Sequence, residues 1–424
     1  MQDIASDILL HCAMSNDYER SSMSDYPLIS WTEAGEIRSA RWRSEAGNPP
    51  PKNVTVADDR IPADVAYKLI CEGTGLLWRG DYQNARQLLQ ALARRIDKKS
   101  DRKNGKAADK AAADKAAGKA SKTVAPTATP AITITQAFHQ HRQAQAQRAR
   151  ILGMLLLPME ADYSVPLRRA PDLAQACTEV YGPGEEASVV SMREVLGLVG
   201  AHEWRKKGVP IPALGGNIHP YYGVFSPVRG EYVDLIAQAV LPTVDLAFDI
   251  GTGTGVLAAL LAKRGVKRIV ATDQSERALD CAAANLKRLG VNKQVELMSA
   301  DLFPAGRAPL VVCNPPWVPA KPSSAIEAAV YDPDSRMLRG FIDGLSDHLT
   351  PGGEGWLIMS DFAEHLGLRA RGEIQAMIDK AGLQVVGKTD IKPRHPRSSD
   401  AEDPLSAARM KEVTSLWKLK VKKA

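Results

Sequence analysis

Two short stretches of this chain bring together residue types that can do chemistry. The first reads Phe248-Asp249-Ile250-Gly251-Thr252-Gly253-Thr254-Gly255, at the handover from an apolar run, VDLAFDI, to a helical pattern, VLAALLAKRG. Glycines there let the backbone turn tightly and approach a ligand without Cβ interference, while the helix N-terminus offers free N–H groups. A dinucleotide fingerprint would need its third glycine at 256, where the chain has Val256, so a pyrophosphate cradle is disfavoured. Asp273 closes the next apolar run, RIVATD, 22 residues after Gly251. An acid at that place can accept two hydrogen bonds from a ribose diol. The second stretch, Asn314-Pro315-Pro316-Trp317, follows a later run, PLVVCN. An amide or aromatic amine is a poor nucleophile because its lone pair is delocalised. The Asn314 side-chain oxygen and the Pro315 carbonyl can accept hydrogen bonds from such an NH2 group and aim its nitrogen. They strengthen as positive charge develops, which is differential transition-state binding. Trp317 offers a flat face on which a planar amide or base can stack.

The elements that must position these residues are legible from about 243 onward. Short apolar runs alternate with helix-length patterns through VDLAFDI, RIVATD, QVELMSA and PLVVCN. That alternation predicts an α/β, Rossmann-like sheet, mostly parallel, with helices on both faces. WLIMSD (356–361), LQVVGKTDI (383–391) and VTSLWKLKV (413–421) follow, the last two without a long helix between them, which predicts an antiparallel pair closing a seven-stranded sheet. Upstream, AYKLICEGTGLLW and NARQLLQALARR place apolar residues at spacings of three and four, predicting a helical hairpin within 62–95. Helical patterns recur at 135–157 and twice within 168–208. Residues 97–123 repeat alanine and lysine and cannot bury a core. The expected organisation is a mainly helical region of unknown role at 1–96, a flexible basic linker at 97–130, a helical substrate-recognition region at 131–210 and a catalytic domain at 211–424.

With Asp249, the three glycines and Asp273 in place, 243–421 resembles the class I S-adenosylmethionine-dependent methyltransferases. The resemblance implies that the loop DIGTGTG wraps the methionine part of S-adenosylmethionine and that Asp273 binds its ribose. It places Asp301 and Leu302, in SADLF, beside the adenine. NPPW resembles the [N/D/S]PP[aromatic] signature of enzymes that methylate planar nitrogens, in which tyrosine or phenylalanine is more usual than tryptophan. YDPDSRMLRGFIDGLS (331–346) resembles the corresponding segment of the HemK/PrmC glutamine-N5 methyltransferases, which methylate release factors. His219–Pro227, HPYYGVFSP, resembles a stretch shared by HemK-like enzymes and the RsmC/RlmG-type ribosomal-RNA guanine-N2 enzymes. In it, Tyr222 and Phe225 are expected to form a lid over cofactor or acceptor. The implied acceptor is a macromolecule: a protein glutamine, or alternatively a base of ribosomal RNA or DNA. A nicotinamide-dependent oxidoreductase is disfavoured by the glycine spacing. A cofactor-binding module without catalysis is disfavoured by the intact Asn314 and its two prolines.

Composition narrows the partners. The net charge is +6, but 97–123 carries nine basic residues against four acids, so the other residues together are close to neutral. A nucleic-acid partner would need a local basic patch or the linker acting as a basic arm, and the balance tilts toward a protein acceptor. PRHPR (393–397) is the one short basic loop near the acceptor side. Five dispersed cysteines with no CxxC pair argue against a disulfide framework or a zinc site. The N-terminal residues carry acids where a signal peptide needs a basic start, and no apolar run approaches the ~18 residues of a membrane span. A metal-free cytoplasmic enzyme with no membrane segment is the expectation.

Overall fold

The computed structural model describes residues 26–98, 132–228, 230–322, 325–393 and 405–423. The expected linker lies outside the described residues from 99 to 130, as do residues 394–397 of PRHPR. The chain divides into two compact units, 1–104 with 150–196 and 105–149 with 197–424.

In the first unit, β1 (Leu28–Glu33) and β2 (Glu36–Arg43) form a hairpin. Its turn, Ala34-Gly35, has φ values of 52° and 84°, the left-handed pair that matches the twist of antiparallel strands. With β3 (Asn53–Ala57), β4 (Thr74–Trp78), β5 (Leu155–Met159) and β6 (Ser188–Ser191) it builds a six-stranded mixed sheet ordered β1-β2-β6-β5-β4-β3. Ile29, Trp31, Trp42, Leu77, Leu156 and Val189 form an apolar cluster within this unit.

This sheet corrects the expectation that 1–96 is mainly helical; in 131–210 the three expected helices form, at Ile134–Leu152, Ala174–Tyr181 and Met192–Lys207, but β5 and β6 lie between them. The helix over AYKLIC stops at Cys71, and GLLW forms β4 instead of continuing it. Leu76, Leu77 and Trp78 are consecutive and all buried. A strand covered on both faces carries an unbroken apolar run, which spacing alone cannot distinguish from a buried helix. LLLPM is likewise β5, because the preceding helix closes at Leu152. Residues 131–210 are not one region either: 150–196 belong to the first unit and the rest to the second.

The second unit begins its catalytic portion with a short hairpin, β7 (Val209–Ile211) and β8 (Gly216–Ile218). Then come β9 (Leu246–Ile250), β10 (Arg268–Asp273), β11 (Val295–Ser299), β12 (Ala308–Cys313), β13 (Leu349–Ser360), β14 (Leu383–Ile391) and β15 (Thr414–Val421). They form the expected seven-stranded sheet in the order β11-β10-β9-β12-β13-β15-β14, parallel except that β15 runs antiparallel to both neighbours. Alternate residues of each strand point to opposite faces. Ala247, Ala271, Val312 and Ile358 join the core cluster containing helix Val256–Lys263, while Phe248, Val270, Val311 and Leu357 join the one containing helix Arg336–His348. Both faces are therefore covered, and polar groups can meet a ligand only at strand ends. Among the described residues, no helix is long and apolar enough to cross a membrane.

The turn after β9 is held from beneath by Asp249, whose side chain is 1% exposed. Its Oδ2 accepts from Thr252 Oγ1 at 2.7 Å and from the backbone N of Ala258 at 3.1 Å, tying strand, turn and the first turn of the following helix together. Burial pushes its pKa up from the ordinary 3.8 to about 6, against the pull of these bonds. The folded protein thus binds this proton more tightly than the unfolded chain does. Through this group, stability is greatest at low pH and declines as pH rises from 3.8 toward about 6, by on the order of 3 kcal/mol in total. Asp249→Asn keeps an acceptor oxygen for both donors and cannot ionise. Urea unfolding across that pH window should show the variant gaining stability relative to the wild type as pH rises; a pH-independent difference would refute this account.

Candidate active site

Pairing register decides what meets at the carboxyl edge. Ile250 of β9 lies opposite Thr272 of β10 on one side and opposite Cys313 of β12 on the other, all parallel. The next residues, Gly251, Asp273 and Asn314, therefore lie at the carboxyl ends of three adjacent strands. The sheet reverses its winding direction at β9 and β12, and a crevice at such a switch point is where open α/β sheets bind ligands.

Gly251, Gly253 and Gly255 have φ values of 72°, 55° and 77°, so each occupies the left-handed region where a side chain is strained. At Gly251 a Cβ would also sit 2.4 Å from Met337 Cε, which packs over the turn. At Gly253 a Cβ would meet no atom within 4 Å, so the outer side of the turn is open to a ligand. The Gly253 N–H donates to Asp273 Oδ2 at 2.9 Å, and the Ser275 N–H donates to Oδ1 at 3.0 Å. The Gln274 N–H also acts on this carboxylate, which has about four acceptor sites and so keeps capacity for a further donor. Burial raises the Asp273 pKa, and the backbone hydrogen bonds oppose the rise.

Asp301 and Leu302 follow β11, the strand beyond β10. Asp301 is exposed, and its carboxylate accepts from Arg336 Nη2 at 2.6 Å and from the Gln274 amide. Leu302 has a φ of 80°, its carbonyl accepts from Thr272 Oγ1 at 2.5 Å, and its side chain fills the space left by Gly340. The segment 331–346 thus reaches Asp301 through Arg336 and the glycine turn through Met337. The buried Asp332 carboxylate fixes the start of that helix, accepting from the backbone N–H groups of Met337 and Leu338 at 3.1 Å each.

Asn314 and Trp317 are half-buried, Pro315 is buried and Pro316 half-buried. The Trp317 indole N–H donates to Asn314 Oδ1 at 3.0 Å. The tryptophan expected only as a stacking face therefore also orients the Asn314 amide, leaving its oxygen one further lone pair. Beyond the motif the chain is zipped to 330–332: the Val318 N–H donates to Val330 O at 3.2 Å, and the Asp332 N–H to Val318 O at 2.8 Å.

The strap at 219–228 is tied to the glycine turn through Asn285, a fully buried residue that the motif search missed. Its Oδ1 accepts from the His219 N–H at 2.9 Å, and its Nδ2 donates to Thr254 O at 3.1 Å. A polar side chain within the buried stripe of Ala278, Cys281, Ala282 and Leu286 was the available signal. Tyr221 packs with Val224, Ala278 and Cys281, under the Arg205 guanidinium at 3.7 Å. Phe225 packs against the core cluster containing helix Val256–Lys263, so the lid expected of it is, in this structure, a packing contact; Tyr222 is half-buried in the same strap. Among the described residues, no cluster of three histidine, cysteine or acidic side chains could hold a metal.

A family model described as the methyltransferase small domain matches residues 216–381. The release factor glutamine methyltransferase of Cereibacter sphaeroides is 31% identical over 196 residues, covering 43% of this chain and 66% of that enzyme. The enzyme of the same name from Xylella fastidiosa is 30% identical over 219 residues, covering 45% of this chain and 76% of the relative. The ribosomal protein uL3 glutamine methyltransferase of Bordetella pertussis is 34% identical over 127 residues, 28% of this chain and 43% of that enzyme. The chain thus spans from under half to about three quarters of these relatives' lengths, and more than half of it lies outside each match. By the shared domain, the extent of the Xylella match and the sheet just described, the chain belongs to the HemK/PrmC-like family of S-adenosylmethionine-dependent methyltransferases.

Proposed function

We propose that this chain transfers a methyl group from S-adenosylmethionine to the side-chain amide nitrogen of a protein glutamine. The observation that carries the proposal is that Gly251, Asp273 and Asn314 lie at the carboxyl ends of three adjacent strands at the switch point of the sheet. It sets a cradle and an oriented amide oxygen on neighbouring strands. The relatives named for two different protein carriers share the glutamine carboxamide, which is the group an Asn314-type acceptor pair would recognise. The near-neutral charge outside 97–123 favours a protein over a nucleic acid.

The residues present fit the cofactor: an open glycine turn, a half-buried Asp273 with acceptor capacity left, and Asp301 and Leu302 on the next strand end. Bound S-adenosylmethionine supplies an electrophilic methyl on sulfur. Asp273 would hold the ribose hydroxyls, while Asp249 holds the turn itself. Asn314 Oδ1 and the Pro315 carbonyl would accept the two amide hydrogens of the acceptor and fix its nitrogen, with Trp317 keeping the Asn314 oxygen oriented. These acceptors gain strength as the nitrogen becomes positive, so they favour the transition state over the ground state.

Asn314→Ala should lower methyl transfer by about 10²–10³-fold with nearly unchanged cofactor affinity; lost cofactor binding would move Asn314 out of the acceptor role. Asp273→Ala should weaken S-adenosylmethionine binding by about 1.5–3 kcal/mol, measured by calorimetry, as for hydrogen bonds to a charged group. Unchanged affinity would refute the ribose assignment. For the acceptor, labelled-methyl transfer into a bacterial lysate, followed by protease or nuclease digestion, should leave the label in N5-methylglutamine. Label in nucleotides would overturn the protein acceptor.

A further inference from the structure

The helix Ile134–Leu152 precedes the matched methyltransferase stretch, yet its residues up to 149 belong to the second unit and meet the chain leaving the NPPW motif. Arg142 makes three different contacts there. Its Nη1 donates to the Lys321 carbonyl at 2.8 Å, its Nη2 pairs with Glu327 Oε2 at 2.9 Å, and its guanidinium lies 4.1 Å from the centre of the Tyr331 ring. One turn earlier on the helix, Phe138 is buried against Val318 and meets Tyr331 edge-on at 6.4 Å. Val318 is the residue that follows Trp317, and it bridges to Tyr331. The helix therefore grips both arms of the loop that returns from the motif, at a carbonyl, a carboxylate and a ring.

We infer that Arg142 is a positioning residue of the acceptor site, bracing the two arms, 318–322 and 327–331, that lead away from and back toward Asn314 and Trp317. The inference rests on the proposed acceptor role of that motif. A planar guanidinium suits the task because one rigid fork meets two oxygens while its face stacks on a ring, which a lysine ammonium cannot do together. The Arg142 side chain retains 21% of its exposure and Glu327 33%, so the brace is a rim contact and its loss need not unfold the domain. A loop held loosely would cost acceptor binding, since the apparent affinity falls with the fraction of molecules whose loop is in the binding-competent arrangement.

The test uses the full chain as wild type, Arg142→Ala and Arg142→Lys, with purified bacterial release factor and ribosomal protein uL3 as acceptor probes. Hydrogen exchange is read at the amides of 318–322 and 327–332 and, as a reference, at the glycine turn 251–255. In Arg142→Ala, exchange should speed up in the first set alone, S-adenosylhomocysteine affinity should be unchanged, and KM for the methylated probe should rise about tenfold with kcat nearly preserved. Arg142→Lys should restore only part of both effects. Unchanged exchange in 318–332, or faster exchange with unchanged KM, overturns the brace. Loosening that spreads to 251–255 with weaker cofactor binding marks a general structural role and also overturns it. If the wild type methylates neither probe, the proposed acceptor class fails on that result, while the exchange measurement still decides whether Arg142 holds the loop.

Discussion

A sheet covered on both faces leaves its ligands one place to go, the ends of its strands, and the rest of the second unit follows from that constraint. Ladder pairing of β9 with β10 and β12 brings together the strand ends that carry Gly251, Asp273 and Asn314. These residues come from segments up to 63 positions apart in the chain, and only the backbone register aligns them. A slip of one residue in either ladder would turn every side chain of that strand to the opposite face. The two apolar clusters therefore guard the geometry of the site as well as the stability of the domain.

Beneath that edge lie buried polar groups whose job is to hold backbone. Asp249 links the strand, the turn and the helix start, and Asn285 links the turn to the strap. Burying such groups is costly unless their hydrogen bonds are made, and once made they specify one arrangement. Asp332 acts in the same way for the helix carrying Arg336 and Met337, the residues that reach Asp301 and the glycine turn. The cofactor side is thus assembled by side chains that need not touch the cofactor.

Legibility varied along the chain for identifiable reasons. From 243 to 421, strands and helices alternate at lengths that local spacing reports well, and the sheet matched the expectation through its antiparallel closing pair. In the first unit β4, β5 and β6 are short and buried along nearly their whole length, and some pairings span long gaps: β4 pairs with β5, some 80 residues away. GLLW and LLLPM carry no period that separates a buried strand from a buried helix, so the runs that form β4 and β5 read as helix. Within the site, residue types indicated chemistry at Asp273 and Asn314, whereas the link from Trp317 to Asn314 and the packing of Phe225 depend on side-chain direction.

By itself the sequence determined the parallel α/β class, the glycine turn, the acid after the second strand of the sheet and the amide motif after the fourth. Each is local, set by a run of residues whose spacing and backbone preferences report on themselves. Tertiary structure alone decided that Asp301 pairs with Arg336, that Asn285 ties strap to turn, and that Arg142, on a helix far upstream, meets Lys321, Glu327 and Tyr331. Those are contacts between segments distant in the chain. Their partners are chosen by packing and register, which no single stretch of sequence contains.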